Sequence, residues 1–289
     1  MASTASITPI LGHKIRRLRE RPDFRKSPVR ALARRLFWRL RWMSSDRPWR
    51  LKLGPDLHLL TPKCGAGALI YYLGYSEPET ARFVRQFLKP GMAFWDVGAH
   101  LGEYSLLASR LVGPSGHVEA FEPQSDTFAW LTANIRANYL ANITPHESAV
   151  ADTSQARRFT VVKEPSLSHL AVGESTGVSV STTTLDDVMS TSGRTPHMVK
   201  VDVEGAEMLV LRGAREVLGL PVGAAPVWLM EYSPENCTRF GYSANDLLAL
   251  FLDKGYRCHW VTEGGALFPS DKAPPWRHSG NFVASKGPV

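Results

Sequence analysis

Short apolar segments alternate with amphipathic helical segments from about residue 92 to the end of the chain. This alternation is typical of a parallel β-sheet, because a helix usually connects one parallel strand to the next. Segments 158–162 and 178–183 have alternating residues and no helix between them, which predicts an inserted antiparallel pair. The sequence therefore predicts an α/β fold whose main strands are residues 92–97, 117–121, 143–150, 198–202, 227–231, 256–261 and 281–284.

The composition allows such a core and argues against several classes of protein. Of the 289 residues, 44% are apolar and 21% are charged, so the chain can bury a sizeable core. The chain has no apolar run of about 18 residues, the length that predicts a membrane-spanning helix. The three cysteines are far apart and form no CxxC pair, which argues against a disulfide framework or zinc cluster and indicates a reducing, cytoplasmic setting.

The net charge of +7 is divided unevenly along the chain. Residues 1–52 hold 15 lysines and arginines and 3 acids, whereas the remainder holds 19 bases and 24 acids. We therefore predict a basic, partly helical N-terminal extension over residues 1–60 and an α/β domain over residues 61–289. A basic extension on a mildly acidic domain suits an anionic surface or a docking face.

Residues 28–43 of the extension have helical periodicity. An apolar stripe recurs at intervals of three and four residues, and five arginines lie largely on other faces. The simplest interpretation is a helix that packs this stripe on the domain and exposes its arginines. The same pattern also fits RNA, or an anionic membrane to which the protein binds peripherally on the inner surface. The stripe consists of Val29, Leu32, Leu36, Leu40 and Met43.

A glycine-rich turn follows the first main strand, in segment 95–105 (WDVGAHLGEYS). The strand ends in Asp96, and Gly98 and Gly102 leave bare backbone before a helix start, which suits a bound ligand. The closely spaced glycine pair of a dinucleotide site is missing, since His100 stands where a middle glycine would be. An acid at the strand end repels a phosphate but suits a cationic ligand. S-adenosylmethionine, with its ammonium and sulfonium groups, fits that description.

A second acid lies where the same ligand can reach it. Glu122 ends the next strand, 20 residues after the glycine turn. An acid at this place can accept hydrogen bonds from both hydroxyls of an adenosine ribose, as its counterpart does in dinucleotide sites.

Ionisable residues also end the fourth main strand. In segment 199–207 (VKVDVEGAE), Lys200, Asp202 and Glu204 share one face and the valines share the other. Such residues are costly in a central parallel strand unless they are paired or face a cleft. Clefts in these sheets lie at the carboxyl ends of the strands, where Glu231 of the next strand can join them.

Together these segments resemble the FkbM-type methyltransferase family in order and spacing, over residues 75–256. The resemblance implies a Rossmann-like methyltransferase fold, with a mostly parallel seven-stranded sheet and helices on both faces, and S-adenosylmethionine as methyl donor. It also implies a hydroxyl acceptor on a sugar, glycolipid, polyketide or similar metabolite. One departure is His100, where the family usually has Asn. The matching segments are 95–102 (WDVGAHLG), 121–123 (FEP), 184–186 (TLD) and 200–207 (KVDVEGAE).

The resemblance and the residues together predict two groups of site residues. In the catalytic group, Asp202 or Glu204 takes the proton of the acceptor hydroxyl, and Lys200 orients or partly neutralises the pair. Mg²⁺ on Asp202, Glu204 and Glu231 is an alternative use of these oxygens, although we predict no metal. His100 can reach the carboxylate of the donor or act as a base. The donor-binding group is Asp96, Gly98, His100, Gly102, Tyr104, Ser105 and Glu122.

Three other functions stay open at this point. An RNA methyltransferase would use the basic extension, but residues 202–205 lack the Asp/Asn-Pro-Pro-aromatic turn common for flipped bases, so we do not expect nucleic acid as the partner. A nicotinamide oxidoreductase is disfavoured because the GxGxxG segment is absent. The third is a non-catalytic module that docks on a membrane through the extension.

Overall fold

The computed structural model describes residues 22–162, 167–171, 177–271, 274 and 279–289. Its strands are β1 (Trp49–Gly54), β2 (Leu57–Thr61), β3 (Ala93–Val97), β4 (His117–Phe121), β5 (Ile143–His146), β6 (Ala149–Val150), β7 (Arg157–Thr160), β8 (His169–Leu170), β9 (Val178–Val180), β10 (Thr182–Thr183), β11 (Met198–Val201), β12 (Val227–Tyr232), β13 (Arg257–Val261), β14 (Leu267–Pro269) and β15 (Gly280–Ser285). Its α-helices are α1 (Pro22–Lys26), α2 (Pro28–Ser44), α3 (Gly65–Leu73), α4 (Pro78–Phe87), α5 (Glu103–Val112), α6 (Ser125–Ala137), α7 (Leu185–Ser192), α8 (Glu207–Arg212), α9 (Arg215–Gly219), α10 (Pro234–Arg239) and α11 (Ala244–Asp253).

A mixed sheet with the strand order β14-β13-β15-β12-β11-β3-β4-β5 forms the centre of the fold. The five strands from β12 to β5 are parallel, and β15, β13 and β14 extend the sheet with antiparallel pairs. The predicted Rossmann-like α/β fold is confirmed, with the short edge strand β14 added to the seven expected strands. The predicted third strand ends early, because β6 leaves this sheet and pairs with β10.

Both faces of the sheet are buried, since successive side chains of a strand point to opposite faces. Phe94 packs in the core with helices α4, α5 and α6, whereas its neighbour Trp95 packs in the core with α7, α8, α9 and α11. A third, smaller core lies under the insert, where β7 pairs with β8 and β9 as a small antiparallel sheet. The predicted antiparallel pair is therefore confirmed for β7 and β9, and β8 joins it. The end of the predicted second strand is corrected, because residues 182–183 form β10 and pair with β6 in parallel. All three cysteines are buried, and no disulfide joins any two of them.

Helix α2 is confirmed, but the prediction that its leucine stripe packs on the domain is wrong. The buried residues of α2 are Ala31, Trp38 and Trp42, on another face of the helix. The ring of Trp38 stacks on Tyr71 of α3 with the ring centroids 5.6 Å apart. The aromatic face has the rings of Trp49, Tyr71 and Tyr72 to pack on, so it anchors the helix. The stripe of Val29, Leu32, Leu36, Leu40 and Met43 is exposed instead.

Among the described residues, no helix combines the length and the apolarity needed to cross a bilayer.

Asn134 of α6 and Asn138, which caps the C-terminal end of this helix, join the hairpin of β1 and β2 to the domain. The Asn134 amide accepts a hydrogen bond from the Leu60 nitrogen at 2.6 Å and donates to the Leu60 oxygen at 3.0 Å. One helical turn on, Asn138 makes the same pair of bonds with His58, at 2.9 and 2.7 Å. The two side chains therefore act as a strand would, by satisfying the backbone of β2. The predicted boundary between residues 60 and 61 falls inside β2.

We expect Asn134→Ala to lower the free energy of unfolding by about 2–4 kcal/mol. Asn134 is fully buried and also donates to the Leu101 oxygen. The substitution therefore removes the hydrogen-bond partner of three backbone groups, two on Leu60 and one on Leu101. Chemical denaturation of the purified protein measures this change. The matched control is Gln86→Ala on the exposed face of α4, which should change the same quantity by less than about 0.5 kcal/mol. Equal effects of the two substitutions would show that the asparagine pair does not hold the hairpin.

Candidate functional site

A cavity of about 590 Å³ opens at the carboxyl ends of the parallel strands. It lies where β3 and β11 are neighbours, with β4 beyond β3 and β12 beyond β11. The connections run in opposite directions from this point, which is where open α/β sheets bind ligands. The predicted site residues that line the cavity are Gly98, His100, Tyr104, Glu122, Lys200, Asp202 and Glu204.

The glycine turn is shaped by a close approach of two strand ends. Gly98 has a φ of 85°, and a Cβ there would lie 1.9 Å from the carbonyl oxygen of Asp202. Only glycine fits this position without moving backbone. The Gly98 and Ala99 nitrogens both donate to the Phe121 oxygen, at 3.1 and 2.9 Å. These two turn amides therefore bind the end of β4.

Glu122 is held rigidly at one side of the cavity. Its carboxylate accepts hydrogen bonds from the His100 nitrogen at 3.0 Å and from the Gln124 nitrogen at 2.9 Å. Burial raises the pKa of Glu122 to about 7, although the two backbone donors favour its charged form. Each oxygen keeps a further lone pair for a ligand hydroxyl. The position predicted to bind a ribose is thus fixed by the glycine turn itself.

Three predicted donor-binding residues support the turn and do not line the cavity. They are Asp96, Gly102 and Ser105. The Ser105 hydroxyl donates to Asp96 Oδ2 at 2.6 Å, and burial raises the pKa of Asp96. Gly102, with a φ of 90°, caps the start of α5. The structure thus separates the predicted donor-binding residues into cavity-lining residues and supporting residues.

His100 stands in the turn with a φ of 50° and a half-buried side chain, whose buried Nε2 has no hydrogen-bond partner among the described residues. Burial lowers the pKa of His100 to about 4. The imidazole is therefore neutral near pH 7, so it can donate or accept a hydrogen bond but cannot form an ion pair with a ligand carboxylate.

Lys200 is the buried cation of the site. Its Nζ donates to Asp202 Oδ2 at 3.0 Å and lies 4.9 Å from the centroid of the Tyr104 ring. Burial opposes the charge, but the carboxylates of Asp202, Asp96 and Glu77 together raise the pKa of Lys200 above its ordinary value. Lys200 therefore stays charged and attracts acids from β3, β11 and the start of α4.

Glu204 and Glu207 form the turn after β11. Glu204 has a φ of 55°, and its Oε2 accepts a hydrogen bond from the Asn236 amide at 2.7 Å. Burial and then the charge of Asp202 raise the pKa of Glu204 to about 8. The buried Glu207 faces away and accepts bonds from the Val203 and Gly205 nitrogens, so it holds the turn in shape.

Two acids of the cavity, Glu77 and Glu103, are not predicted from the sequence. A third, Glu231, is predicted only as a residue that can join the cleft. Glu77 accepts a hydrogen bond from Asn281 at 2.8 Å, and Glu103 accepts two from Ser76. The pKa of each of these acids is raised to about 7, and burial is the largest cause. Burial and then Asp202 raise the pKa of Glu231 well above its ordinary value. Only Glu103 had a local signal, as an acid at the first position of the helix after the turn.

Two apolar walls enclose the rest of the cavity. One comes from α3, through residues such as Leu69 and Tyr72, and the other comes from the insert, through Phe159 and Leu170. Neither wall was predicted, because both are brought to the site by tertiary packing. No group of three or more His, Cys, Asp or Glu side chains is placed to hold a metal ion in the part of the chain that the structure describes.

A family model and a relative match this chain in sequence. The model of the methyltransferase FkbM domain matches residues 96–258, more than half of the chain. Hexuronic acid methyltransferase AglP of Haloferax volcanii is 29% identical over 145 residues, which are 49% of this chain and 58% of that protein. This chain thus matches less than two thirds of that relative's length.

Solved structures are similar at lower identity. Methyltransferase FkbM from Methylobacillus flagellatus KT is 17% identical with a TM-score of 0.44, over 76% of this chain and 52% of that chain. Fibrillarin from Aeropyrum pernix, solved with S-adenosyl-L-methionine, is 13% identical with a TM-score of 0.41, over 71% and 74% of the two chains. Because the family model matches more than half of this chain, the chain belongs to the FkbM methyltransferase family.

Proposed function

We propose that this protein binds S-adenosylmethionine and catalyses transfer of its methyl group to a hydroxyl of a sugar or a similar metabolite. The observation that carries the proposal is that one cavity holds Glu122 on one side and the Lys200, Asp202 and Glu204 group on the other. Their strands, β4 and β11, flank β3 and are therefore about 10 Å apart, the scale of a nucleoside. Membership of a methyltransferase family supports the same reaction.

The residues of the cavity fit the donor. Glu122 is placed to accept the ribose hydroxyls, and Gly98 lines the cavity beside the turn. The neutral His100 can bond to a polar group with its Nε2, which has no partner among the described residues. S-adenosylmethionine, when bound, supplies an electrophilic methyl group on a positively charged sulfur. Acids outnumber bases among the lining residues, so the cavity stabilises such a cation.

Asp202 and Glu204 are the two candidates for the base that takes the proton of the acceptor hydroxyl. The raised pKa of Glu204, about 8, favours Glu204, because a general base works best when its pKa is near the working pH. Asp202 is paired with Lys200 at 3.0 Å, a contact that fixes the position of its carboxylate. We therefore assign proton removal to Glu204, and we assign to Asp202 the orientation of the acceptor hydroxyl.

The acceptor is proposed from the chemistry of the cavity and from a relative. AglP is named as a hexuronic acid methyltransferase, which supports a sugar acceptor. The acids around Asp202 and Glu204 would repel a second carboxylate, so a neutral hydroxyl is the group expected at the reactive end. The expected product is thus a methyl ether and not a methyl ester.

Transfer of radiolabelled methyl from S-adenosylmethionine to a panel of neutral sugars, uronic acids and polyketides tests the acceptor. The label should stay in the product after mild alkali, because methyl ethers resist hydrolysis that cleaves methyl esters. Label released by alkali would place the reaction on a carboxylate, and no transfer to any acceptor would favour a non-catalytic module.

Glu122→Gln should weaken binding of S-adenosylhomocysteine by about tenfold or more, because a charged acceptor of ribose hydroxyls is lost. Isothermal titration calorimetry measures this affinity. The matched control is Glu119→Gln, a buried acid of β4, the strand that Glu122 follows. The Glu119 carboxylate contacts His117 and His146 and does not line the cavity. Unchanged affinity in Glu122→Gln would remove Glu122 from the donor site.

Glu204→Gln should lower kcat by about 10²- to 10⁴-fold, the usual contribution of a general base, and leave binding of S-adenosylhomocysteine within about threefold. Asp202→Asn should mainly raise KM for the acceptor. Steady-state kinetics with calorimetry on the same samples separates the two effects. If Asp202→Asn gives the larger loss of kcat, the two roles are exchanged.

The turnover rate should rise with pH up to about pH 8 and then level off, because Glu204 must lose its proton before it can act as a base. This rise is expected at saturating donor and acceptor, where kcat reports the bound enzyme. Glu204→Gln should have a low rate without the same rise. An unchanged inflection near pH 8 in this variant would exclude Glu204 as its source.

A further inference from the structure

The leucine stripe of α2 is an exposed apolar surface on an otherwise packed helix. Its five members, Val29, Leu32, Leu36, Leu40 and Met43, are between 50% and 79% exposed, and Phe37 beside them is 54% exposed. Scattered exposed apolar residues are common in proteins, but an apolar stripe along four helical turns marks an interaction surface. We propose that this stripe docks the protein on the surface of an anionic phospholipid bilayer.

The helix is held so that the stripe must face outward. Trp38 and Trp42 are buried on a different face of α2, and Trp38 contacts Trp49, Tyr71 and Tyr72. Arg35 lies 4.5 Å from the Tyr72 ring centroid and pairs with Asp23 at 2.6 Å. These contacts fix the rotation of α2, so the leucines cannot turn inward without losing the aromatic cluster.

Charge around the stripe identifies an anionic partner. Residues 22–52 contain ten lysines and arginines and only two acids, Asp23 and Asp46. Arg39 lies at one edge of the stripe and Arg30 lies beyond Phe37 at the other edge, and both are exposed. Apolar residues flanked by exposed arginines are the features of a helix that lies in a membrane interface. If the stripe packed against an uncharged protein surface instead, the exposed arginines beside it would have no part in the contact.

The docked helix would lie next to the candidate active site. Helix α2 packs on α3, and α3 supplies one wall of the cavity, including Tyr72. Docking through the stripe would therefore hold the cavity near the lipid surface. The docking proposal itself does not depend on methyl transfer.

Sedimentation with lipid vesicles tests the proposal on the full chain. The protein should bind vesicles of phosphatidylcholine with phosphatidylglycerol and bind phosphatidylcholine alone much more weakly. Leu36→Ser with Leu40→Ser should lower binding by about tenfold or more, because both side chains lose apolar burial. The matched control is Val222→Ser with Leu252→Ser, two exposed apolar residues elsewhere, which should bind as the unmodified protein does.

A charge variant and a folding check complete the experiment. Arg30→Gln with Arg39→Gln should lower binding to the anionic vesicles by about tenfold or more and reduce the preference for them. The unfolding temperatures of all variants should be unchanged, since the altered side chains are exposed.

Four results would overturn the proposal. The first is no vesicle binding by the full chain, and the second is equal binding by the leucine variant and the unmodified protein. The third is binding only after deletion of residues 1–21, which would show that the chain covers its own stripe. The fourth is a dimer that the leucine variant dissociates while vesicle binding is absent, which would make the stripe a contact between two copies.

Discussion

The close approach of β3 and β11 at their carboxyl ends is the constraint on which the site depends. A Cβ at Gly98 would lie 1.9 Å from the Asp202 carbonyl oxygen, so the turn after β3 can pass Asp202 only as glycine. That path lets the turn amides bind the end of β4 and fix the Glu122 carboxylate. The same approach sets Asp202 beside the turn. The donor side and the proposed catalytic side are thus positioned by one contact between two strand ends.

Around that contact, burial and charge act against each other. Lys200 is one buried cation among several acids, and it stays charged because Asp202, Asp96 and Glu77 surround it. Burial raises the pKa of Glu77, Glu103, Glu122 and Glu204 toward or above the neutral range, so these acids carry less negative charge near pH 7 than their number implies. A cationic ligand would favour ionisation of these acids. We therefore expect a donor with a positive charge to be bound more tightly as these acids ionise.

Sequence patterns predicted the sheet and the polar residues at its strand ends because the signals are local. Strand periodicity located the strands, and the acids at the ends of β4 and β11 predicted the edge of the sheet where the cavity lies. The rotation of α2 could not be predicted in this way, since its leucine and tryptophan faces both look apolar and only the partner rings on α3 decide between them. Glu77 was missed for a related reason, because its position beside Lys200 and Asn281 arises from contacts distant in sequence.

A crystal structure with S-adenosylhomocysteine tests the central claim most directly, because it places the donor product relative to both sides of the cavity. We predict that the ribose hydroxyls contact the Glu122 carboxylate and that the sulfur faces Asp202 and Glu204. A ligand bound elsewhere, or bound with its ribose away from Glu122, would contradict the assignment of this cavity as the methyl-transfer site.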